Sequence, residues 1–347
     1  RGSAAFARRA EADGWHGMLV VDSQNLSGDA AQDIWAQGVT EQLSASIGTI
    51  ASLKVVSDQS MKQFKDSSDP LPVIGSKVGA KGLVEGSIQV VGDEIRITVK
   101  LYDAAEDRML WSDTYRRPVQ DILNVQGEIA TAIAEQVEAV ITPDENARLA
   151  SAAQVDPAAY KAYLIGMNLT HLLTVEGVRD AIVSFRQAIA IDPTYAQPYA
   201  GLSRAHYFNA LLSSGPPVEE FGFARAAAAK ALELDPNSAE GHAAMADIMT
   251  SFDWDWTGAE RQYRRAITLN PSLGDVRAGL GSFLTAIGRP EEGVKQARLS
   301  VELDPLNGFN SINYAWNLVY AHREAEALDV LQTTLRLHPD WGAWAYN

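Results

Sequence analysis

A helix-stopping signal recurs at nearly constant spacing through the second half of the chain. Five times an apolar residue and a polar residue are followed by proline, and successive prolines are 43, 35, 34 and 34 residues apart. They are Pro193, Pro236, Pro271, Pro305 and Pro339. Because proline lacks an N–H and disfavours the helical conformation in the residue before it, each one should end a helix. The spacing therefore predicts an array of similar helical units.

Small and large side chains stand at fixed distances before each proline. In the first unit Ala181 and Ala188 lie 12 and 5 residues before Pro193, and Phe185 lies 8 before it. The later units carry Ala224, Ala228 and Ala231; Ala259, Tyr263 and Ala266; Gly293, Ala297 and Ser300; and Ala327, Leu331 and Thr334. This pattern is typical of the tetratricopeptide repeat, in which small residues let two antiparallel helices approach closely. We expect residues 159–347 to form an all-α tetratricopeptide repeat superhelix of about five repeats.

The first half has the patterns of a mixed α+β domain. Gly82–Val91 and Glu94–Asp103 flank the two-residue turn Gly92-Asp93, and the second segment alternates apolar and polar residues, which predicts a β-hairpin. Further apolar runs and helical-period segments place an α+β domain with a mixed sheet at residues 17–143, ending in a helix over residues 119–141 that stops at Pro143. Residues 1–16 are expected to be a tag or disordered lead-in, and residues 144–158 a connecting segment.

Several short stretches resemble a module of bacterial signalling proteins. They are NLSGD at residues 25–29, LVEGSI at 83–88, GDEIRIT at 92–98, LYDA at 101–104, LWS at 110–112 and FDWDWTGAE at 252–260. In that module a domain similar to the N-terminal domain of the translocation protein TolB precedes tetratricopeptide repeats. The resemblance covers about residues 17–340 and implies a TolB-N-like first domain, with a winged-helix, adenylate cyclase or protein kinase domain preceding it. The chain departs from the module at Asp22-Ser23, where proline and phenylalanine are usual, and at Gly82, where an aromatic is common.

Composition narrows the classes of partner. The 347 residues carry a net charge of −15, which disfavours nucleic acid and anionic lipid as ligands of this region. Cysteine is absent, which removes disulfides and thiolate sites, and no apolar run is long enough to span a bilayer. The chain begins Arg1-Gly2-Ser3, so we expect a fragment whose preceding region decides between bacterial cytoplasm and periplasm.

No constellation for catalysis, a cofactor or a metal emerges from the sequence. Asp253 and Asp255 flank Trp254, but residues two apart face different ways on a helix and no third ligand is near, so we interpret them as part of a turn with aromatic plugs. The six histidines show no metal-ligand spacing. We therefore predict no catalytic, cofactor or metal residues.

The inner groove of the repeats is the remaining candidate, because the first helix of each repeat lines it. Exposed aromatic residues beside arginine are typical of binding hot spots. The predicted partner-binding residues are Tyr163, Met167, Arg204, Tyr207, Asp247, Thr250, Ile312, Trp316 and Tyr320.

We expect a non-catalytic sensory or scaffold region of a bacterial signalling or transcription-regulatory protein, which binds a peptide or protein partner in this groove or at the seam between the domains. A homo-oligomer is also compatible with the sequence. Two alternatives stay open: an envelope-associated assembly factor, and a hydrolase that uses carboxylates of the groove.

Overall fold

A computed structural model describes residues 16–338, except for residues 21–23, 27–28, 30–32, 58–59, 61–63, 65–68, 151–153 and 213–216. Residues 1–15 of the predicted lead-in and residues 339–347 of the predicted repeat domain lie outside the described residues, and residue 16 begins β1. The first half contains β1 (His16–Val20), β2 (Gln24–Asn25), α1 (Asp33–Gly48), β3 (Leu53–Val56), α2 (Leu71–Val78), β4 (Gly82–Val91), β5 (Glu94–Asp103), β6 (Arg108–Pro118), α3 (Ile122–Gln136) and α4 (Pro143–Ala150).

The second half is helical throughout its described length. It contains α5 (Pro157–Thr170), α6 (Val175–Ile191), α7 (Gln197–Leu212), α8 (Pro217–Leu234), α9 (Ala239–Ile248), α10 (Trp256–Leu269), α11 (Gly274–Ala286), α12 (Pro290–Leu303), α13 (Gly308–Tyr320) and α14 (Glu324–Leu337). Among the described residues, no helix combines the length and the apolar character that crossing a membrane requires.

The described strands form one mixed sheet. Their order is β3-β1-β4-β5-β6, and β2 pairs with β4 beyond the end of β1. β1 is parallel to β3 and β4, whereas β5 is antiparallel to both of its neighbours, β4 and β6. The predicted hairpin is confirmed, with Gly92 at φ 58°, a conformation that glycine adopts without strain. The alternating apolar residues of β5, from Ile95 to Leu101, are buried in the core.

Helix α3 is shorter than the sequence predicts. A 3-10 turn at Val119–Asp121 precedes it, and it ends at Gln136, after which Glu138 has φ 56°. Pro143 does not end α3 but is the first residue of α4. A backbone N–H at that position has no acceptor within the helix, so proline removes no hydrogen bond there. Helix α4 occupies much of the predicted connecting segment and packs against α3. Glu145 of α4 also accepts a hydrogen bond from the backbone N–H of Ala51 at 2.8 Å.

The helices of the second half pack as consecutive hairpins. Strong contacts join α5 to α6, α7 to α8, α9 to α10, α11 to α12 and α13 to α14. The residues predicted to lie between helices are buried: Ala181, Phe185, Ala188, Ala224, Ala228, Ala231, Ala259, Tyr263, Ala266, Gly293, Ala297, Ser300, Ala327 and Thr334. Only Leu331 of the set remains partly exposed. The predicted repeat fold is therefore confirmed.

One repeat contains an extra residue, and the structure shows how it is accommodated. The spacing of 35 residues between Pro236 and Pro271 exceeds the next two spacings by one. After α9 the chain forms a π-helical turn, Met249–Asp253, and Trp254 then takes a left-handed conformation with φ 59°. A π-turn widens a helix by one residue per turn, so the insertion leaves the packing of α9 on α10 intact.

The first domain packs against turns that join one repeat to the next. At the turn after α10, the side chain of Asn270 donates to the carbonyl of Ala45 at 3.3 Å, and the Oγ of Ser272 accepts from the N–H of Val55 at 3.1 Å. At the turn after α12, the Oγ of Ser60 donates to Asp304 at 2.5 Å. These contacts tie α1, β3 and the segment after β3 to one edge of the repeat array.

Apolar packing reinforces this seam. Leu306, just after the second of these turns, packs against a cluster of the first domain that includes Val56, Ile74 and Leu83. The backbone N–H of Leu306 also donates to the Oγ of Ser60 at 3.1 Å. The chain's own residues therefore fill this part of the interdomain seam.

Candidate partner-binding face

The inner face of the array is formed by the first helix of each hairpin. Helix α5 contacts α7, α7 contacts α9, and α11 contacts α13, so within each of these three pairs the first helices of neighbouring hairpins lie side by side. In a stacked array the helices that approach one another most closely lie on the inside of the curve. We call this surface the concave face. It consists of the exposed sides of α5, α7, α9, α11 and α13.

Four charged side chains occupy the middle of the concave face, and we call them the charged centre. They are Arg204 of α7, Glu240 and Asp247 of α9, and Asp275 of α11. Arg204 donates from Nη1 to the Oδ2 of Asp275 at 2.7 Å, and each side chain is more than two fifths exposed. The two carboxylates of α9 interact electrostatically with both Arg204 and Asp275.

The surroundings of the charged centre shift the pKa values of both carboxyl groups of α9. Burial in the groove raises the pKa of Asp247 to about 6, although the hydrogen bond from Tyr263 and the charge of Arg204 act in the opposite direction. Burial likewise raises the pKa of Glu240, although part of this side chain is exposed to solvent. With three carboxylates against one guanidinium, the charged centre attracts cations.

Hydrogen bonds hold the charged centre in place. The hydroxyl of Tyr263 donates to the Oδ1 of Asp247 at 2.6 Å. The hydroxyls of Tyr207 and Ser251 lie 3.1 Å apart, which links α7 to the π-turn. The guanidinium of Arg204 also lies 5.5 Å from the ring centroid of Phe208. These contacts fix the polar groups before any partner arrives, which reduces the entropy lost on binding.

Aromatic side chains mark the last described hairpin, and we call Phe309, Trp316 and Tyr320 the aromatic end. All three belong to α13 and are 54%, 42% and 63% exposed. The rings of Trp316 and Tyr320 lie 6.3 Å apart between centroids. Exposed tryptophan and tyrosine offer large contact areas with few rotatable bonds, and they are the side chains most enriched in binding hot spots.

The structure brings some of the predicted site residues together and separates others. Arg204 and Asp247 belong to the charged centre, and Trp316 and Tyr320 belong to the aromatic end. Tyr207 and Thr250 lie beside the charged centre, where Tyr207 contacts Ser251 and Thr250 contacts Tyr263. Ile312 lies on α13 but is buried at 8% exposure.

Tyr163 and Met167 of α5 face the first domain instead of an open groove. Tyr163 is 4% exposed, and its hydroxyl accepts a hydrogen bond from Gln42 of α1 at 3.1 Å. Its ring packs edge-on against Tyr195 at 5.5 Å. Met167 packs against the same core, which extends into the first domain. The site that stays accessible therefore begins at α7 and extends to α13.

Three residues of the site were not predicted: Glu240, Asp275 and Phe309. Glu240 lies seven residues before Asp247, and Phe309 lies seven before Trp316. Residues seven apart share one side of a helix, two turns from each other. Extending each predicted position by two turns toward the start of its helix would have found Glu240 and Phe309.

The side chains of the acidic and aromatic stretch at residues 252–256 make structural contacts. Asp253 forms an ion pair with Arg225, and Asp255 caps α10 by accepting from the N–H of Gly258 at 2.9 Å. Phe252 stacks on Phe221 of α8, with the ring centroids 4.9 Å apart. Trp254 and Trp256 do not act as plugs, because they are 72% and 51% exposed. Among the described residues, no group of acidic and histidine side chains is arranged to hold a metal ion.

Comparison with known proteins adds a distant relative and several repeat structures. No protein-family model matches the chain. A protein named putative adenylate cyclase 3, from Rhizobium meliloti (strain 1021), is 28% identical over 243 residues, which cover 70% of this chain. The matched region spans 34% of the length of that relative.

Solved structures, two of them described as TPR proteins, align with about half of the chain. YrrB, described as a TPR protein with an unusual peptide-binding site, is 19% identical over 54% of this chain and 90% of its own, with a TM-score of 0.36. TTC0263, a TPR protein of Thermus thermophilus, is 18% identical over 58% of this chain and 91% of its own, with a TM-score of 0.41. PilF of Pseudomonas aeruginosa is 18% identical over 52% of this chain and 76% of its own, with a TM-score of 0.41.

Proposed function

We propose that this chain is the protein-interaction region of a bacterial signalling protein and that it binds a peptide or protein partner on the concave face between α7 and α13. The first domain serves as a TolB-N-like support, and no catalytic step takes place in this region. The proposal rests on one observation: the preorganised charged centre and the exposed aromatic end lie on the same accessible face.

The distant relative supports a role in signalling. Its name includes adenylate cyclase, and the matched region is only about a third of it, which leaves room for a separate effector domain in that protein. A regulatory region of this kind works by binding its partner more tightly in one arrangement of the attached effector than in another. The seam contacts of Ser60 with Asp304 and of Ala45 with Asn270 would pass a shift of the repeats to the first domain.

A peptide selection tests the proposal. The protein is used to select binders from a library of random peptides, and their affinities are measured against the wild type and Trp316→Ala. Trp254→Ala is the matched control, because Trp254 is also an exposed tryptophan but belongs to the π-turn region and not to α13. We expect Trp316→Ala to weaken binding by about tenfold or more, as for a hot-spot tryptophan, and Trp254→Ala to have little effect.

Circular dichroism melting curves of both variants show whether they are folded. The proposal is wrong if the selected peptides bind Trp316→Ala as tightly as the wild type, or if Trp254→Ala alone abolishes binding.

A further inference from the structure

Strand β6 presents an open backbone edge on the first domain. It is the last strand of the described sheet, and β5 is its only strand partner in the part of the chain that the structure describes. Of its eleven residues, only Leu110, Trp111 and Tyr115 are partly covered. An edge strand of this length directs N–H and C=O groups outward, where they can pair with another extended chain. In β6 the N–H of Thr114 donates to the Oδ1 of Asp113 at 2.7 Å, and the carbonyl of Arg116 accepts from Arg117 at 3.0 Å. An added strand would replace these exposed contacts.

Protective features restrict this edge to its middle. A register irregularity between Leu101 and Tyr102 of β5 disturbs the pairing near Met109, and Pro118 ends the strand. Irregular pairing and terminal proline are the devices by which proteins guard exposed strands. Between them, the run from Trp111 to Arg117 pairs with β5 without interruption. This run is long enough for several hydrogen bonds to an added strand.

A groove runs beside the edge, between β6 and α3. Its volume is about 610 Å³, within the range of ligand sites. Tyr115 and Arg117 form the strand side, α3 forms the opposite wall, and the largely buried Leu149 of α4 also lines the groove. Arg117 and Glu128 of α3 pair across the groove at 3.0 Å. A strand edge next to a helix is the arrangement in which peptide-binding domains add a partner strand.

Charge decides what kind of segment fits. Asp121, Glu128 and Glu135 contribute three carboxylates to the groove, and Arg117 is the only basic side chain among the described residues that line it. Asp121 accepts a hydrogen bond from Gln154 at 2.7 Å, and Glu128 pairs with Arg117. Burial and the neighbouring Asp113 raise the pKa of Tyr115 to about 12, so its hydroxyl remains a neutral donor. The excess of carboxylates means that the groove attracts basic side chains.

We propose that the β6 edge and the adjoining groove bind an extended, basic segment of a partner protein as an additional strand of the sheet. Alternate residues of that segment project into the groove, so basic side chains at alternate positions meet Glu135 and Glu128. A second copy of this chain is a poorer occupant, because each copy carries a net charge of −15. This site is separate from the concave face and does not depend on the function proposed for it.

The experiment uses a fluorescently labelled synthetic peptide with threonine at every second position. The positions between are occupied in turn by lysine, valine and lysine. Its binding to the full chain is measured by anisotropy, and hydrogen exchange with mass spectrometry locates the protected amides. We expect slower exchange within residues 108–118 and binding weakened about tenfold or more by Glu135→Lys, which places a cation in the groove. Glu176→Lys, the same charge change on an exposed side chain of α6, is the matched control and should leave binding unchanged.

Two further measurements make the test decisive. A peptide methylated on alternate backbone nitrogens should lose its binding, because it cannot donate to the β6 edge. Equal binding of the methylated peptide, protection outside residues 108–118, or absence of binding at millimolar peptide would each overturn the proposal. So would concentration-dependent self-association that protects β6 without peptide, which would assign the edge to a second copy.

Discussion

The raised pKa of Asp247 predicts a measurable cost of keeping the charged centre ionised. A carboxyl group with a pKa of about 6 in the folded chain and 3.8 in the unfolded chain holds its proton more tightly when folded. Between these pH values the folded state binds the extra proton, so the free energy of unfolding falls as the pH rises. Above pH 6 the group is ionised in both states, and the folded protein bears the full cost.

The magnitude follows from the shift. One pKa unit corresponds to about 1.4 kcal/mol, so the shift of Asp247 has an upper limit of about 3 kcal/mol. Water still reaches part of the side chain, which reduces the expected value to about 1–2 kcal/mol. Asp247→Asn keeps an oxygen that can accept from Tyr263 but cannot ionise. We expect this variant to be more stable than the wild type by about 1–2 kcal/mol at pH 8 and to lose that advantage by pH 4.

Urea unfolding followed by circular dichroism at a series of pH values measures the difference. The other carboxylates titrate in both proteins, so comparing the variant with the wild type isolates Asp247. Asp329→Asn on α14, which removes an exposed carboxylate outside the concave face, is the matched control for the substitution itself. If Asp247→Asn follows the wild type at every pH, the groove does not hold this carboxyl group away from water as argued.

The remaining predictions concern packing. Gly127→Ala should destabilise the protein by about 1–3 kcal/mol in urea unfolding, because its new Cβ would overlap the carbonyl oxygen of Leu149. Asp304→Ala should cost about 1–3 kcal/mol in the same assay, because it leaves the Oγ of Ser60 without its acceptor at the seam. Phe185→Ala should cost about 3–5 kcal/mol by opening a cavity between the first two hairpins. For Gly127, the matched control is Gly222→Ala within α8, where the new Cβ meets nothing within 4 Å and the higher helix propensity of alanine should stabilise the protein by about 1 kcal/mol. A stabilising Gly127→Ala, a neutral Asp304→Ala or a neutral Phe185→Ala would contradict the respective contact.

Local spacing made the helical repeats predictable. Ala181, Phe185 and Ala188 are buried because a helix places residues three or four apart on one side, and only small residues let two helices approach there. The hairpin of β4 and β5 was predictable for a similar reason, since Gly92-Asp93 suits the turn and the alternation fixes the buried side. Such signals act between neighbours in the chain, so they are present in the sequence itself.

The candidate site was only partly predictable. Arg204, Asp247 and Trp316 followed from their positions in the first helices, but their partners did not, because Asp275 pairs with Arg204 across 71 residues of chain. Tyr163 was predicted to face the groove, yet the first domain covers it through Gln42. No local pattern indicates which surfaces two domains will bury against each other.

The repeat period, the bounds of the hairpin and the acidic character follow from the amino-acid sequence alone, because helix periodicity, turn chemistry and charge depend on residues close in the chain. The folded chain was needed to show that Asn270 and Asp304 dock the first domain, that Asp247 lies near Arg204, and that β6 is an edge strand of the described sheet. Those outcomes depend on contacts between distant segments, whose free energies are set by the complementarity of whole surfaces and not by local sequence.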